Sequence, residues 1–138
     1  MSVGFLVDCF FYEIGRGDFL HSFFSTISYH LEQEGWGTKY PYLMNDLYYS
    51  KLKWTDASKT MQEAREIEEK LKNLPPEAVI WDIDDPSKQP PWGNNISEEV
   101  TSLANYFATS NRETFFEILN TALKTCQEEK FDLVIKKL

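Results

Sequence analysis

Three closely spaced carboxylates, Asp82, Asp84 and Asp85, are the residues of this chain whose type and spacing come nearest to chemistry. They follow the apolar run Ala78-Val79-Ile80-Trp81. A strand ending in Asp-x-Asp would set the first two on the same side, as oxygen ligands for a hard cation such as magnesium. A small metal-dependent hydrolase is the enzymatic reading of this trio. The plainer reading is that acidic loop residues ahead of Pro86 are solvated and need no metal. His21 and His30 fall on one predicted helix nine positions apart, about 13 Å along its axis at the ~1.5 Å rise per residue, so they neither share a metal nor form a dyad. Asp18 stands three residues before His21 and could orient it as a general base. No serine or cysteine motif places a nucleophile beside it, and a surface histidine near a helix start is the simpler reading. Gly15-Arg16-Gly17-Asp18 lacks the lysine and the longer glycine pattern of a phosphate cradle, and reads as a strand-to-helix turn. We therefore assign no catalytic residue, no metal ligand and no cofactor from the sequence.

Surface recognition is the chemistry that remains. Trp36, Tyr40, Tyr42, Trp54, Trp81 and Trp92 all stand near breaks in periodicity, and large aromatics beside carboxylates compose a protein-binding patch with a hot-spot core. Trp81, within an apolar run, is expected inside. Trp92 in Pro-Pro-Trp-Gly and Trp36 between two glycines are expected to reach the surface.

The elements that must position these residues follow from periodicity. Residues 2–14 read as one strand with apolar groups on both faces, hence central, with Cys9 in its middle. Gly15 to Gly17 ends it and Asp18 caps a helix over 19–34 with Phe19, Phe23, Ile27 and Leu31 at steps of four. Gly35-Trp36-Gly37 interrupts, and Tyr40-Pro41-Tyr42-Leu43 leads into a short helix through Tyr48 and Tyr49. A helix over 57–74 is polar over most of its girth and packs one narrow stripe, until Pro75-Pro76 stops it. Residues from Ala78 read as a buried strand feeding a stiff, acidic, aromatic loop. The segment 96–110 fits a helical turn over 98–103 and then a short strand. Asn111 caps a helix over 113–128, and 131–138 forms a last strand with a charged end suited to an edge. The order β-α-α-α-β-(α/β)-α-β has no regular alternation, which points to a single α+β domain over 1–138, a small, largely antiparallel sheet with helices packed on it.

Composition narrows the partners. The 138 residues are 42% hydrophobic and 15% aromatic, with a formal charge of −8 and a pI near 4.7. Nucleic acid and anionic membrane surfaces are poor partners for such a chain, because both are polyanions; a basic protein is the natural one. Neither the spacing of Cys9 and Cys126 nor any apolar stretch suggests a disulfide framework or a membrane span, so two buried thiols and a cytoplasmic location are expected.

Four segments carry a resemblance: Val3-Gly4-Phe5-Leu6-Val7-Asp8; the run from Gly17 to Glu32, Gly-Asp-Phe-Leu-His-Ser-Phe-Phe-Ser-Thr-Ile-Ser-Tyr-His-Leu-Glu; Gly35-Trp36-Gly37-Thr38-Lys39-Tyr40-Pro41; and Val79-Ile80-Trp81-Asp82-Ile83 with Pro90-Pro91-Trp92-Gly93. Together they resemble the immunity protein 70 family of bacterial polymorphic-toxin systems over nearly the whole chain. The resemblance implies a small cytoplasmic antidote, without catalysis, that binds the C-terminal domain of a toxin encoded beside it. Asp82, Asp84, Asp85 and Trp92, with Trp36 and Tyr40, are the expected partner-binding residues. Their alternative role is to pack the loop back on the sheet. A self-associating structural protein is a third reading, which light scattering would reveal, and the oligomeric state is left open.

Overall fold

The computed structural model describes residues 2–109 and 111–137. Ser110 and Leu138, which end the predicted segments 96–110 and 131–138, lie outside the described residues. A three-stranded antiparallel sheet in the order β2-β1-β3 is covered by helices, so the α+β expectation holds. The stretch 2–14, expected as one strand, is a hairpin of β1 (Ser2–Val7) and β2 (Phe10–Arg16). The chain reverses at Asp8-Cys9, where Asp8 takes a left-handed φ of 53°; a short polar side chain is among the few that tolerate it. Cys9 consequently sits exposed in the turn while Cys126 is buried, and both are free, which corrects the expectation of two buried thiols.

β1 is the central strand, pairing Val7 with Phe10 on one side and with Leu133 of β3 (Leu133–Lys137) on the other. Its register with β2 slips between Val3 and Gly4. A Cβ on Gly4 would collide with the Tyr12 carbonyl and the Phe11 ring, so only glycine fits there. The start of β3 also exchanges backbone hydrogen bonds with Leu52, at 2.8 and 2.9 Å, so its outer edge is partly covered.

Helix α1 (Gly17–Leu31) buries Phe23, Phe24 and Ile27 completely. Arg16, not Asp18, occupies its N-cap; Asp18 lies in the first turn, 2.6 Å from the Arg16 guanidinium, where its charge still complements the helix dipole. The helix ends at Leu31 rather than Glu34 because Glu32 turns inward to serve a loop. Tyr42–Leu47 forms the expected short helix, wound as a π-helix that buries Leu43, Met44 and Leu47. A 3-10 turn, Trp54–Asp56, then leads into α2 (Ala57–Leu71), whose inward stripe is Ala57, Thr60, Ala64, Ile67 and Leu71. Helix α4 (Phe115–Glu129) is capped by Thr114, whose hydroxyl accepts from Glu117 N at 3.1 Å, instead of by Asn111. It packs on both α2 and β1, closing one continuous core.

Two further expectations are corrected. The helical turn placed at 98–103 lies later, as the four-residue α3 (Leu103–Tyr106), because Ser102 and Asn105 form a reciprocal capping box there. The strand that should follow reduces to one bridge between Ala108 and Thr114. The second correction matters more: residues 78–83 form no strand. After a 3-10 turn, Pro76–Ala78, the chain runs from 79 to 101 without helix or strand, as a strap laid along α1.

Candidate functional site

The strap is held by side chains of α1. Ser22, Ser25 and Thr26 recur at three- and four-residue spacing, so they share one face of the helix, and all are fully buried. Ser22 Oγ donates to Ile80 O at 2.8 Å and Thr26 Oγ1 to the same oxygen at 3.2 Å. In return Thr26 Oγ1 accepts from Ile80 N at 3.0 Å, and Ser25 Oγ accepts from Ile83 N at 3.2 Å. His30 Nε2 donates to Ala78 O at 2.7 Å. Buried backbone groups need partners, and here a row of helix hydroxyls supplies what a neighbouring strand would have given. That is why β-branched Val79 and Ile80 stay extended outside the sheet.

His21, on the same helix, meets the strap's first acid. Its Nε2 lies 3.1 Å from Asp82 Oδ1 and its Nδ1 contacts the Tyr48 hydroxyl. An ionised carboxylate only accepts, which assigns Nε2–H as donor to Asp82 and Tyr48 O–H as donor to Nδ1. Asp18, weighed from the sequence as an orienting partner for His21, is paired with Arg16 instead. The backbone N–H of Asp84 donates to Asp82 Oδ1 at 3.0 Å. That bond above all, then His21 and the Lys88 ammonium 3.6 Å away, hold the Asp82 carboxyl below its ordinary value despite partial burial. The Tyr48 hydroxyl is pushed up to about 12, first by burial and then by Tyr49 and the charges of Asp82 and Asp84. Trp36 stacks near His21, centroids 6.4 Å apart, and its indole N–H donates to Met44 O at 2.8 Å.

The loop carrying Trp36 has its own anchor. The Glu32 carboxylate, only 3% exposed, accepts from Gly37 N at 2.9 Å and from Lys39 N and Tyr40 N at 3.0 Å each. Gly37 has φ 79°, and a Cβ there would strike the Asn45 side chain.

Of the six residues singled out from the sequence, the fold brings Trp36, Asp82 and Asp84 together around His21. Asp84 is exposed, and Asp85 turns its carboxylate back on Ser87, accepting from Oγ at 2.6 Å. Trp92 belongs to a second aromatic group with Phe19, Trp81 and Tyr106, its N–H donating to the Tyr106 hydroxyl at 2.8 Å. Tyr40 is buried, 1% exposed, with its hydroxyl accepting from Lys70. Trp81 is inside as expected, 8% exposed. His21 was weighed from the sequence and set aside as a surface histidine, and Tyr48 and the hydroxyl row of α1 were not marked. The signal for the row was polar residues at helical spacing within an otherwise apolar helix.

A family model described as Immunity protein 70 matches residues 5–135, which takes in both aromatic groups, the strap, all of β2 and most of β1 and β3. The chain belongs to the immunity protein 70 family. Membership makes it an immunity protein, directed against a toxin. No curated protein and no solved structure matches it. No helix of the described residues is long and apolar enough to cross a membrane.

Proposed function

We propose that this member of the immunity protein 70 family neutralises its toxin by direct contact and without catalysis. It acts in the cytoplasm as one domain over 1–138 on the toxin's C-terminal domain. The observation that carries this reading is the strap, an irregular 23-residue segment from 79 to 101 whose backbone is pinned to α1 at Ile80 and Ile83 while Asp84 is exposed. A recognition loop held before contact loses little entropy on binding, and so holds affinity that a mobile loop would forfeit. Beside it a recess of about 300 Å³, floored by Ile80 and Ile83 and flanked by Tyr29 and Pro86, is sized for an apolar side chain of a partner. Asp84, Asp85, Trp36 and Trp92 form the contact surface in this reading, with Asp82 and Tyr40 fixing it from beneath. The net charge of −8 suits a basic partner.

Titration calorimetry against the C-terminal domain of the toxin encoded beside this protein tests the proposal. Tight one-to-one binding that abolishes toxicity is expected. The double substitution Asp84→Lys with Asp85→Lys should weaken it by roughly tenfold or more, since like charges are then juxtaposed, and leave the melting temperature in place. Tight binding indifferent to both substitutions would move the interface elsewhere, and no binding by the folded protein would sink the reading.

A further inference from the structure

Docking of the strap joins residues that lie 61 positions apart in sequence. His21, Asp82 and Asp84 each offer one ligand atom, and these three atoms all lie within 4.8 Å of one another. We propose that they form a binding site for a divalent transition ion, zinc by preference, which clips the strap to α1.

One imidazole nitrogen with two carboxylate oxygens is a mixed donor set of the kind zinc accepts, whereas magnesium and calcium take oxygen alone. Ligand atoms around an ion with bonds of about 2.0–2.2 Å stand on the order of 3 Å apart. His21 Nε2 and Asp82 Oδ1 already stand at 3.1 Å. Asp84 is exposed, and its carboxylate has no hydrogen bond or ion pair among the described residues, so it is free to close the third position. Metal-binding imidazoles usually donate their other N–H to an outer acceptor that fixes the ring. The Tyr48 hydroxyl stands at that place against Nδ1. With the ion on the Nε2 lone pair, the ring proton sits on Nδ1 and the Tyr48 oxygen accepts from it.

Among the described residues the charges at the site are Asp82, Asp84 and one cation, Lys88, 3.6 Å from Asp82 Oδ2 with its side chain 58% exposed. Carboxylates therefore outnumber ammonium groups at the site. A half-exposed lysine pair is weak and salt-screened, so a divalent ion displaces it.

The inference stands apart from the toxin reading and is read on the isolated protein. Tag-free, chelator-treated protein is titrated with zinc and with cobalt(II), following the unfolding midpoint and the visible absorption of bound cobalt. An ion that binds only the folded state raises the midpoint with concentration, and the intensity of the cobalt spectrum reports a four- or five-coordinate site, which His21→Gln should abolish. Asp84→Asn should weaken binding by roughly tenfold or more without disturbing the metal-free midpoint, and Lys88→Met should tighten it by removing the competitor. Absence of stabilisation by either ion at millimolar concentration would overturn the proposal. So would stabilisation that Asp84→Asn and His21→Gln leave untouched, or a response to magnesium alone.

Discussion

Glu32 shows how much one buried carboxylate organises. It is the C-cap of α1, its N–H donating to Ser28 O, and its carboxylate takes three backbone N–H groups of the next loop, so the chain reverses there without a strand. Glu32→Ala would strand these donors, two of them in buried bonds, at roughly 1–3 kcal/mol for each buried group left unpaired. We expect a fall in the melting temperature of many degrees, measured by thermal unfolding, and loss of Trp36 near-ultraviolet dichroism. Glu63 is a second such residue, accepting from Leu43 N at 2.9 Å, yet burial pushes its carboxyl up to about 6 from an ordinary 4.5. A folded value above the unfolded one means that folding disfavours the ionised form. The contribution to stability is therefore full below pH 4.5 and lost as pH rises through 6. Melting curves between pH 4.5 and 7 should show a component of that sign which Glu63→Gln abolishes; an unchanged profile in the variant would place the titration elsewhere. At this scale the sequence separated exposed from buried aromatics unevenly. Trp81 is inside as its apolar neighbours imply, but Tyr40, beside Pro41 in what reads as a surface turn, is drawn under by Glu32, a partner eight residues away.

At the scale of elements, legibility followed the source of the hydrogen bonds. Helices α2 and α4 and strand β3 satisfy their own backbones or pair with a neighbour, and the periodicity of their apolar residues marked them to within a few residues. The β1–β2 turn escaped because Asp8-Cys9 contains neither glycine nor asparagine, the usual signs of a two-residue reversal. The strap escaped for another reason. Val79-Ile80-Trp81 has strand composition, but its hydrogen-bond partners are side chains of a helix, which no rule of strand pairing anticipates. Replacing Ser22 by Ala and Thr26 by Val together leaves Ile80 N and O without partners. Hydrogen exchange and proteolysis should then rise sharply over 79–95 while β1 and α4 keep their protection, a local opening distinct from global unfolding. Equal loss of protection everywhere would show that the strap and the core unfold as one unit.

The whole molecule adds a field. With 22 acidic against 14 basic residues, its charge should accelerate encounter with the toxin if that partner is basic, as proposed, and exposed charges are screened beyond about 10 Å at 0.1 M salt. Stopped-flow association should slow by roughly tenfold or more between low and high salt, with dissociation far less affected; a salt-independent association rate would remove steering from the account. The α+β class was legible because alternating and helical periods appear in separate blocks. The placement of the acidic strap on α1 was not, since only the folded chain brings His21 to Asp82. One consequence reaches past this molecule. At the start of the strap the serine and threonine hydroxyls of α1 hold backbone atoms, which are present whatever outward side chains the strap carries, while Asp82 and Trp92 are held through their own side chains. Its outward residues are thus replaceable cargo on a fixed mount. A lineage, or an engineer, could exchange Asp84, Asp85 and their neighbours to address a different toxin while the scaffold folds as before.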